Sequence, residues 1–166
     1  DRKKLAVGSQ AQTARDAIVN KEGNWYKLLG SLYADVDGGV RRKAFENFVV
    51  NASMIGSPRQ ARHARKYDCN IPWAILMDPT SSCNLDCTGC WASEYGRRLS
   101  LSFEELDGII RQGKKLGTFF YLFSGGEPLR QAEFVLAVLR RLDRVHVLLD
   151  TSGHGDPERF AELHRA

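Results

Sequence analysis

From residue 71 onward, short apolar runs alternate with segments of helical periodicity, and this alternation limits the folds open to the chain. The apolar runs cover residues 73–77, 118–123 and 145–149. Short, uninterrupted apolar runs are typical of strands that are covered on both faces. Ser102 and Glu105 form a capping-box pattern that predicts a helix between the first two runs. Repetition of strand and helix predicts parallel strands joined by helical crossovers.

The first 70 residues follow a helical pattern instead. Apolar residues recur at helical intervals over 24–33 and again over 40–55. Ser57 and Pro58 then predict a new helix, with Ser57 as its N-cap. Residues 1–70 carry 13 Lys and Arg against 7 Asp and Glu, whereas the rest of the chain carries 11 against 13. This asymmetry favours two regions with different roles, a helical segment at 1–70 and an α/β region at 71–166.

Three of the four cysteines, Cys83, Cys87 and Cys90, lie within eight residues. Soft thiolate ligands at this spacing suit an iron–sulfur cluster or zinc, and three ligands leave one metal position open. A structural zinc site that recruits Cys69 is the main alternative, although Cys69 lies 14 residues before Cys83 and zinc ligands usually come in closer pairs. The cysteine pattern is not that of a secreted disulfide framework, so we expect a cytoplasmic protein.

Each candidate functional segment follows a predicted strand. The cysteine segment 83–90 follows the first run, the segment 124–128 (Ser-Gly-Gly-Glu-Pro) follows the second, and the segment 150–153 (Asp-Thr-Ser-Gly) follows the third. Active sites of α/β proteins lie at the carboxyl ends of parallel strands. We therefore expect the three segments to share one edge of the sheet.

The spacing C-x3-C-x2-C, followed by Gly-Gly-Glu-Pro, resembles the radical S-adenosylmethionine (radical SAM) superfamily. The resemblance implies a partial parallel βα barrel, and a 4Fe-4S cluster held by Cys83, Cys87 and Cys90 with S-adenosyl-L-methionine on its unique iron. It implies an oxidoreductase in which reductive cleavage of S-adenosylmethionine gives a 5′-deoxyadenosyl radical for hydrogen abstraction from a substrate. A flavodoxin- or ferredoxin-like electron donor is the expected partner. The substrate and the catalytic residues do not follow from the resemblance.

Further cofactor contacts are implied by the same resemblance. The matching positions are Gly89, Trp91, Gly125, Gly126, Glu127 and Thr151. The glycine pair and Glu127 match the segment near the methionine amino group, and Gly89 and Trp91 match positions near the adenine. Many family members have an aromatic residue where this chain has Gly89; here the aromatic residue follows Cys90 instead. A tight turn for the glycines, and a satisfied turn hydroxyl for Thr151, are the structural alternatives.

The resemblance is not uniform along the chain. Residues 24–127 look like a functionally obscure radical SAM group with a helical extension, and residues 124–153 look more like the glycyl-radical-enzyme activating branch. Family barrels have six βα units and this chain supplies three, so we expect a truncated barrel or a partner that covers the open sheet edge. A truncated, non-catalytic module that binds a cluster or zinc is the alternative function.

Two partner classes are not expected. The apolar run 119–123 is far too short to cross a bilayer. The basic segment 59–66 lacks interleaved aromatic residues, so we interpret it as a solvated helix face and expect no nucleic-acid partner. A structural zinc protein that binds nucleic acid through this segment is the alternative.

Overall fold

The protein is described by a computed structural model, which covers residues 12–96, 98–141, 143–154, 158 and 161–162. The chain forms two compact units, Asp1–Lys43 and Ala44–Ala166. The first unit is helical, as predicted, with α1 at residues 12–19, α2 at Asn24–Asp35 and most of α3, which spans Gly38–Ala44. Asp37 starts α3 because its carboxylate accepts hydrogen bonds from the N–H groups of Gly39 and Val40, at 2.8 and 3.2 Å.

Three strands and four longer helices lie in the described part of the second unit. In chain order they are a π-helix at Phe45–Gly56, α4 at Ser57–Tyr67, β1 at Ala74–Thr80, α5 at Phe103–Leu116, β2 at Phe120–Gly125, α6 at Ala132–Arg141 and β3 at His146–Leu149. The predicted capping box of α5 is confirmed, with Ser102 and Glu105 bonded reciprocally. The predicted start of a last helix at Asp156 and Pro157 lies outside the described residues.

One predicted helix boundary is wrong. Ser57 does not cap α4, because its backbone is already helical at φ −58° and ψ −44°. Gly56 is helical too, so the π-helix runs directly into α4. Pro58, which has no N–H to donate, stands at the junction where the helix changes from the π to the α pattern of hydrogen bonds.

The three strands form one open parallel sheet in the order β1-β2-β3, and the predicted α/β class is confirmed. Part of the β1 edge is covered by residues 99–101. Leu101 donates to the carbonyl of Pro79 at 2.9 Å, and Ser81 donates to the carbonyl of Leu99 at 2.8 Å. Pro79 has no N–H to leave unpaired, which suits a strand at the edge of a sheet.

Helices α5 and α6 cover one face of the sheet. The fully buried residues there include Leu106, Ile110, Tyr121, Phe123, Val135 and Val138. The hydroxyl of Tyr121 shares its one proton between the carbonyls of Ile110 and Thr118, at 3.1 and 2.9 Å. A buried hydroxyl needs such partners, and this pair fixes the tyrosine between α5 and β2.

Aromatic rings close the amino-terminal end of the opposite face. Phe120 stacks on Trp73 and on His146, with ring centroids 5.0 and 5.1 Å apart. Phe48 of the π-helix lies edge-on to Trp73 at 5.6 Å. The π-helix therefore packs with the sheet, and the compact unit begins at Ala44. The boundary at residue 70 between two regions of different function stays a prediction.

In the part of the chain that the structure describes, no helix combines the length and the apolar character that a membrane crossing requires.

Candidate functional site

The cysteine loop leaves the carboxyl end of β1 without regular secondary structure. Cys83 and Cys90 are half-buried, Cys87 is exposed, and all three are free thiols. The N–H of Cys90 donates to the carbonyl of Cys87 at 3.2 Å across Gly89, whose φ of +74° favours glycine. The N–H of Leu85 donates to the sulfur of Cys83 at 3.4 Å.

The glycine turn at the end of β2 packs directly against the chain that leads into Cys83. Gly126 donates its N–H to the carbonyl of Thr80 at 2.9 Å, and Glu127 donates to the carbonyl of Ser82 at 2.8 Å. A Cβ atom on Gly126 would lie 2.4 Å from the Ser82 oxygen, which is closer than any side chain tolerates. Glycine at this position is therefore required by the close approach of two backbone segments.

The Glu127 carboxylate is buried, with its side chain 2% exposed, and it accepts four hydrogen bonds. One oxygen accepts from the Thr151 hydroxyl at 2.7 Å and the Leu129 N–H at 3.0 Å. The other accepts from the Ser152 hydroxyl at 2.6 Å and the Ser152 N–H at 2.9 Å. Burial alone would raise the pKa of Glu127, but the hydrogen bonds from Ser152, Thr151 and Leu129 outweigh it and hold the pKa below its ordinary value.

A further hydrogen bond links the cysteine loop to the chain beyond β3. The side-chain amide of Asn84 donates to the carbonyl of His154 at 3.1 Å. Together with the contacts of Gly126 and Glu127, this bond joins the segments that follow all three strands. The prediction that the three segments share one edge of the sheet is confirmed by these contacts. We call this edge the rim.

The remaining predicted residues differ in their surroundings. Trp91 opens a short 3-10 turn, Trp91–Tyr95, is half exposed, and lies edge-on to Tyr95 at 6.0 Å. Gly125 adopts a φ of +101°, and Gly89 lies in open space. Thr151 does not face outward, since its hydroxyl is committed to Glu127.

The donor set on the loop fits an iron–sulfur cluster by its chemistry. It consists of three free, partly accessible thiols on one irregular loop, one of which already accepts an N–H. Among the described residues, no three His, Cys, Asp or Glu side chains are grouped so that they could hold a single metal ion. The cysteine ligands of a four-iron cluster bind different iron atoms, so they surround the cluster rather than meet at one point.

Sequence reasoning missed Asp78. This residue of β1 lines a cavity of about 420 Å³ together with Gly125, Trp91 and Tyr95. Burial raises the pKa of the Asp78 carboxyl. Little in the sequence pointed to it, because Asp78 and Pro79 follow the apolar run 73–77 and look like a turn.

Fold and site together define a class of protein: a parallel α/β domain in which a three-cysteine loop packs against a glycine turn at the carboxyl edge of the sheet. The family model of the Radical SAM superfamily matches residues 77–166, more than half of the chain, and the chain belongs to this superfamily. The match begins within β1 and includes the cysteine loop, the glycine turn and β3. Proteins of this superfamily generally bind a 4Fe-4S cluster and S-adenosylmethionine. No curated protein and no solved structure matches the chain.

Proposed function

We propose that this protein binds a 4Fe-4S cluster through Cys83, Cys87 and Cys90 and uses S-adenosylmethionine to abstract hydrogen from a substrate. The bound, reduced cluster would supply one electron to the sulfonium, releasing methionine and a 5′-deoxyadenosyl radical. The observation that carries the proposal is the double hydrogen bond between the glycine turn and the residues just before Cys83. It places the two motifs that a radical SAM protein needs side by side.

The cysteine loop would hold the cluster, and its backbone would tune the charge on sulfur. The N–H of Leu85 is already directed at the sulfur of Cys83. Hydrogen bonds to ligating sulfur stabilise the negative charge that a reduced cluster accumulates. An electron donor of the flavodoxin or ferredoxin class would reach the cluster from outside the loop, where Cys87 is exposed.

The glycine turn would bind the amino end of S-adenosylmethionine. Backbone carbonyls of Gly125 and Gly126 suit an ammonium group. Glu127 already accepts four hydrogen bonds, so it acts by fixing the turn to Thr151 and Ser152 rather than as an open ligand. Thr151 has the same positioning role.

The adenine of S-adenosylmethionine would lie beside Gly89 and Trp91. Gly89 leaves open space beside the loop, and the half-exposed ring of Trp91 offers a flat apolar surface of the kind on which a purine stacks. We assign residues 24–127 to the radical SAM group with a helical extension and residues 124–153 to the glycyl-radical-enzyme activating branch as part of the same proposal. The proposal also includes a cytoplasmic location.

Cys87→Ala tests the metal site, with Cys69→Ala as the matched control. After anaerobic reconstitution with iron and sulfide, the unmutated chain should hold about four irons and absorb at about 400 nm. Cys87→Ala should lose both signals. Cys69→Ala should keep them, because Cys69 lies outside the loop and the strand β1 separates it from Cys83. Background iron in the unmutated chain, or equal losses in the two variants, contradicts the proposal.

A non-catalytic module that binds a cluster or zinc is the second candidate. Saturation of Glu127 by protein donors favours it, because that carboxylate is not open to a ligand. Incubation of the reconstituted protein with dithionite and S-adenosylmethionine separates the two functions. Formation of 5′-deoxyadenosine supports the enzyme. A loaded cluster without any product, or zinc in place of iron after anaerobic purification, supports the module.

A further inference from the structure

Strand β1 ends at Thr80, a completely buried residue that lies three positions before Cys83. The Thr80 hydroxyl oxygen accepts the N–H of Ser82 at 3.1 Å and lies 3.1 Å from the hydroxyl oxygen of Ser100. The backbone carbonyl of Thr80 accepts the N–H of Gly126 from the glycine turn. A single residue therefore contacts the start of the cysteine loop, the chain that returns after the loop, and the glycine turn.

The chain returns to β1 at residues 99–101, which we call the return segment. Ser81 donates its N–H to the carbonyl of Leu99 at 2.8 Å, and its hydroxyl accepts the Leu99 N–H at 3.0 Å. Leu101 donates its N–H to the carbonyl of Pro79 at 2.9 Å. These three bonds attach the return segment to the end of β1 without any help from the threonine hydroxyl.

The bond between the Ser82 N–H and the Thr80 hydroxyl has no such substitute, because the described residues offer this N–H no second acceptor. A hydroxyl that accepts the N–H two residues further along forms an ST-turn, which bends the chain. The bend falls where β1 ends and the irregular loop begins. The carbonyl of Ser82 also accepts the N–H of Glu127 at 2.8 Å. The orientation of Ser82 therefore sets both its contact with the glycine turn and the direction in which the chain enters Cys83.

A line of polar side chains continues from Thr80 to the chain beyond the glycine turn. Gln131 lies in the short 3-10 turn Pro128–Gln131, and its side-chain amide donates to the Ser100 hydroxyl at 3.2 Å. The Ser100 hydroxyl in turn lies beside that of Thr80. Linked hydrogen bonds of this kind restrict one another more than isolated bonds do.

We infer that the Thr80 hydroxyl is a positioning group of the proposed site, which holds Ser82 so that the Cys83 thiol is placed against the glycine turn before a cluster binds. The inference rests on the proposed function, because the position of this thiol matters only if it binds the cluster. Thr80 is not itself a ligand, since its side chain is fully buried. Groups that orient a metal ligand typically contribute about 10–100-fold to the affinity for the metal.

Thr118 provides a matched control for Thr80. Its side chain is also completely buried, and its hydroxyl donates to the carbonyl of Pro72 at 2.6 Å. Thr118 precedes β2, whereas Thr80 lies where β1 ends, so the two threonines stand at opposite ends of the parallel sheet. A valine at either position keeps the shape of the side chain and removes the oxygen.

Amide hydrogen exchange on the unloaded chain tests the geometry without the cluster. After correction for intrinsic rates, the Ser82 amide of the unmutated chain should exchange roughly tenfold more slowly than the Thr88 amide, which has no hydrogen-bond acceptor among the described residues. Thr80→Val should speed exchange across residues 82–90 roughly tenfold. Thr80→Ser keeps the oxygen and should restore the slow exchange, and Thr118→Val should leave it unchanged.

Retention of iron tests the consequence for the cluster. Each variant is reconstituted anaerobically and mixed with an excess of chelator, and the loss of absorbance at about 400 nm is followed with time. Thr80→Val should lose iron roughly tenfold faster than the unmutated chain, whereas Thr80→Ser and Thr118→Val should lose it at the unmutated rate. Urea titrations of the two valine variants separate a general loss of stability from this local effect.

The inference is overturned if Thr80→Val leaves exchange across residues 82–90 unchanged, if Thr80→Ser does not restore it, or if Thr118→Val speeds iron loss as much as Thr80→Val does. Equal exchange of the Ser82 and Thr88 amides in the unmutated chain also overturns it, and this measurement does not require any variant to fold. Absence of iron from the unmutated chain contradicts the proposed function alone, because the exchange result is obtained on the unloaded chain.

Discussion

Replacement of Glu127 by glutamine should destabilise the protein although the two side chains have almost the same shape. Each carboxylate oxygen of Glu127 accepts one backbone N–H, from Leu129 on one side and Ser152 on the other. A glutamine has only one acceptor oxygen. Whichever way its amide is turned, the NH₂ group faces a backbone N–H, and that donor is left unpaired in a buried site.

The loss of this hydrogen bond sets the size of the expected change in the free energy of unfolding. A hydrogen bond to a charged group contributes about 1.5–3 kcal/mol, and an unpaired buried donor costs about as much. We expect Glu127→Gln to lower the free energy of unfolding by about 2–3 kcal/mol in urea titrations. Glu105→Gln is the matched control. Both Ser102 donors share one Glu105 oxygen, so a glutamine carbonyl can accept both and the loss should be clearly smaller.

The pH dependence gives an independent check. The native pKa of Glu127 lies below its ordinary value of 4.5. Its contribution to stability is therefore fully present above pH 4.5 and is lost as the pH falls from there through the native pKa. Glu127→Gln should lack this part of the acid limb. If the Glu127 and Glu105 variants lose equal stability, or if the acid limb is unchanged, Glu127 does not tie the rim together.

Two further substitutions test the rim and the base of the sheet. Gly126→Ala would place a Cβ atom 2.4 Å from the Ser82 oxygen, so it should lower the free energy of unfolding by about 1–3 kcal/mol and reduce the iron bound on reconstitution. Gly108→Ala lies in open space within α5 and should change neither quantity. Equal iron in the two variants would contradict the reasoning. His146 has a pKa lowered by burial from its ordinary 6.5, so stability should fall as the pH drops from 6.5 to the native pKa and then level off. His146→Phe should remove that step in urea titrations at graded pH, and a step of the same size in the variant would assign it to another group.

Local chemistry made the elements of the second unit predictable. Helix α5 begins where Ser102 and Glu105 indicated, because a capping box acts over three residues. Strand β1 was harder to delimit, since it continues through Asp78 and Pro79 to Thr80, three residues past the predicted end. Those residues look like a turn in sequence. They remain in the strand because the chain around Leu99 pairs with this edge, and such pairing depends on tertiary contacts.

The candidate site was likewise only partly predictable from the sequence. The positions of the cysteine loop and the glycine turn followed from strand order, because parallel strands end at a common edge. The partners of Glu127 did not follow, because Thr151 and Ser152 are 24 and 25 residues distant and only the folded sheet brings them together. The sequence could suggest an ammonium ligand for this carboxylate. That ligand stays a prediction, and in the structure the carboxylate accepts its four hydrogen bonds from Leu129, Thr151 and Ser152.

The bond between Asn84 and His154 has a consequence for biosynthesis. It spans 70 positions of the chain, from just after the first strand to just after the third. A nascent chain that has been synthesised only as far as β2 already contains the three cysteines of the loop. It still lacks Ser152, which donates a hydrogen bond to Glu127, and His154, which accepts one from Asn84. The contacts that tie the cysteine loop and the glycine turn to the third strand therefore form only after β3 and the residues just beyond it have been synthesised.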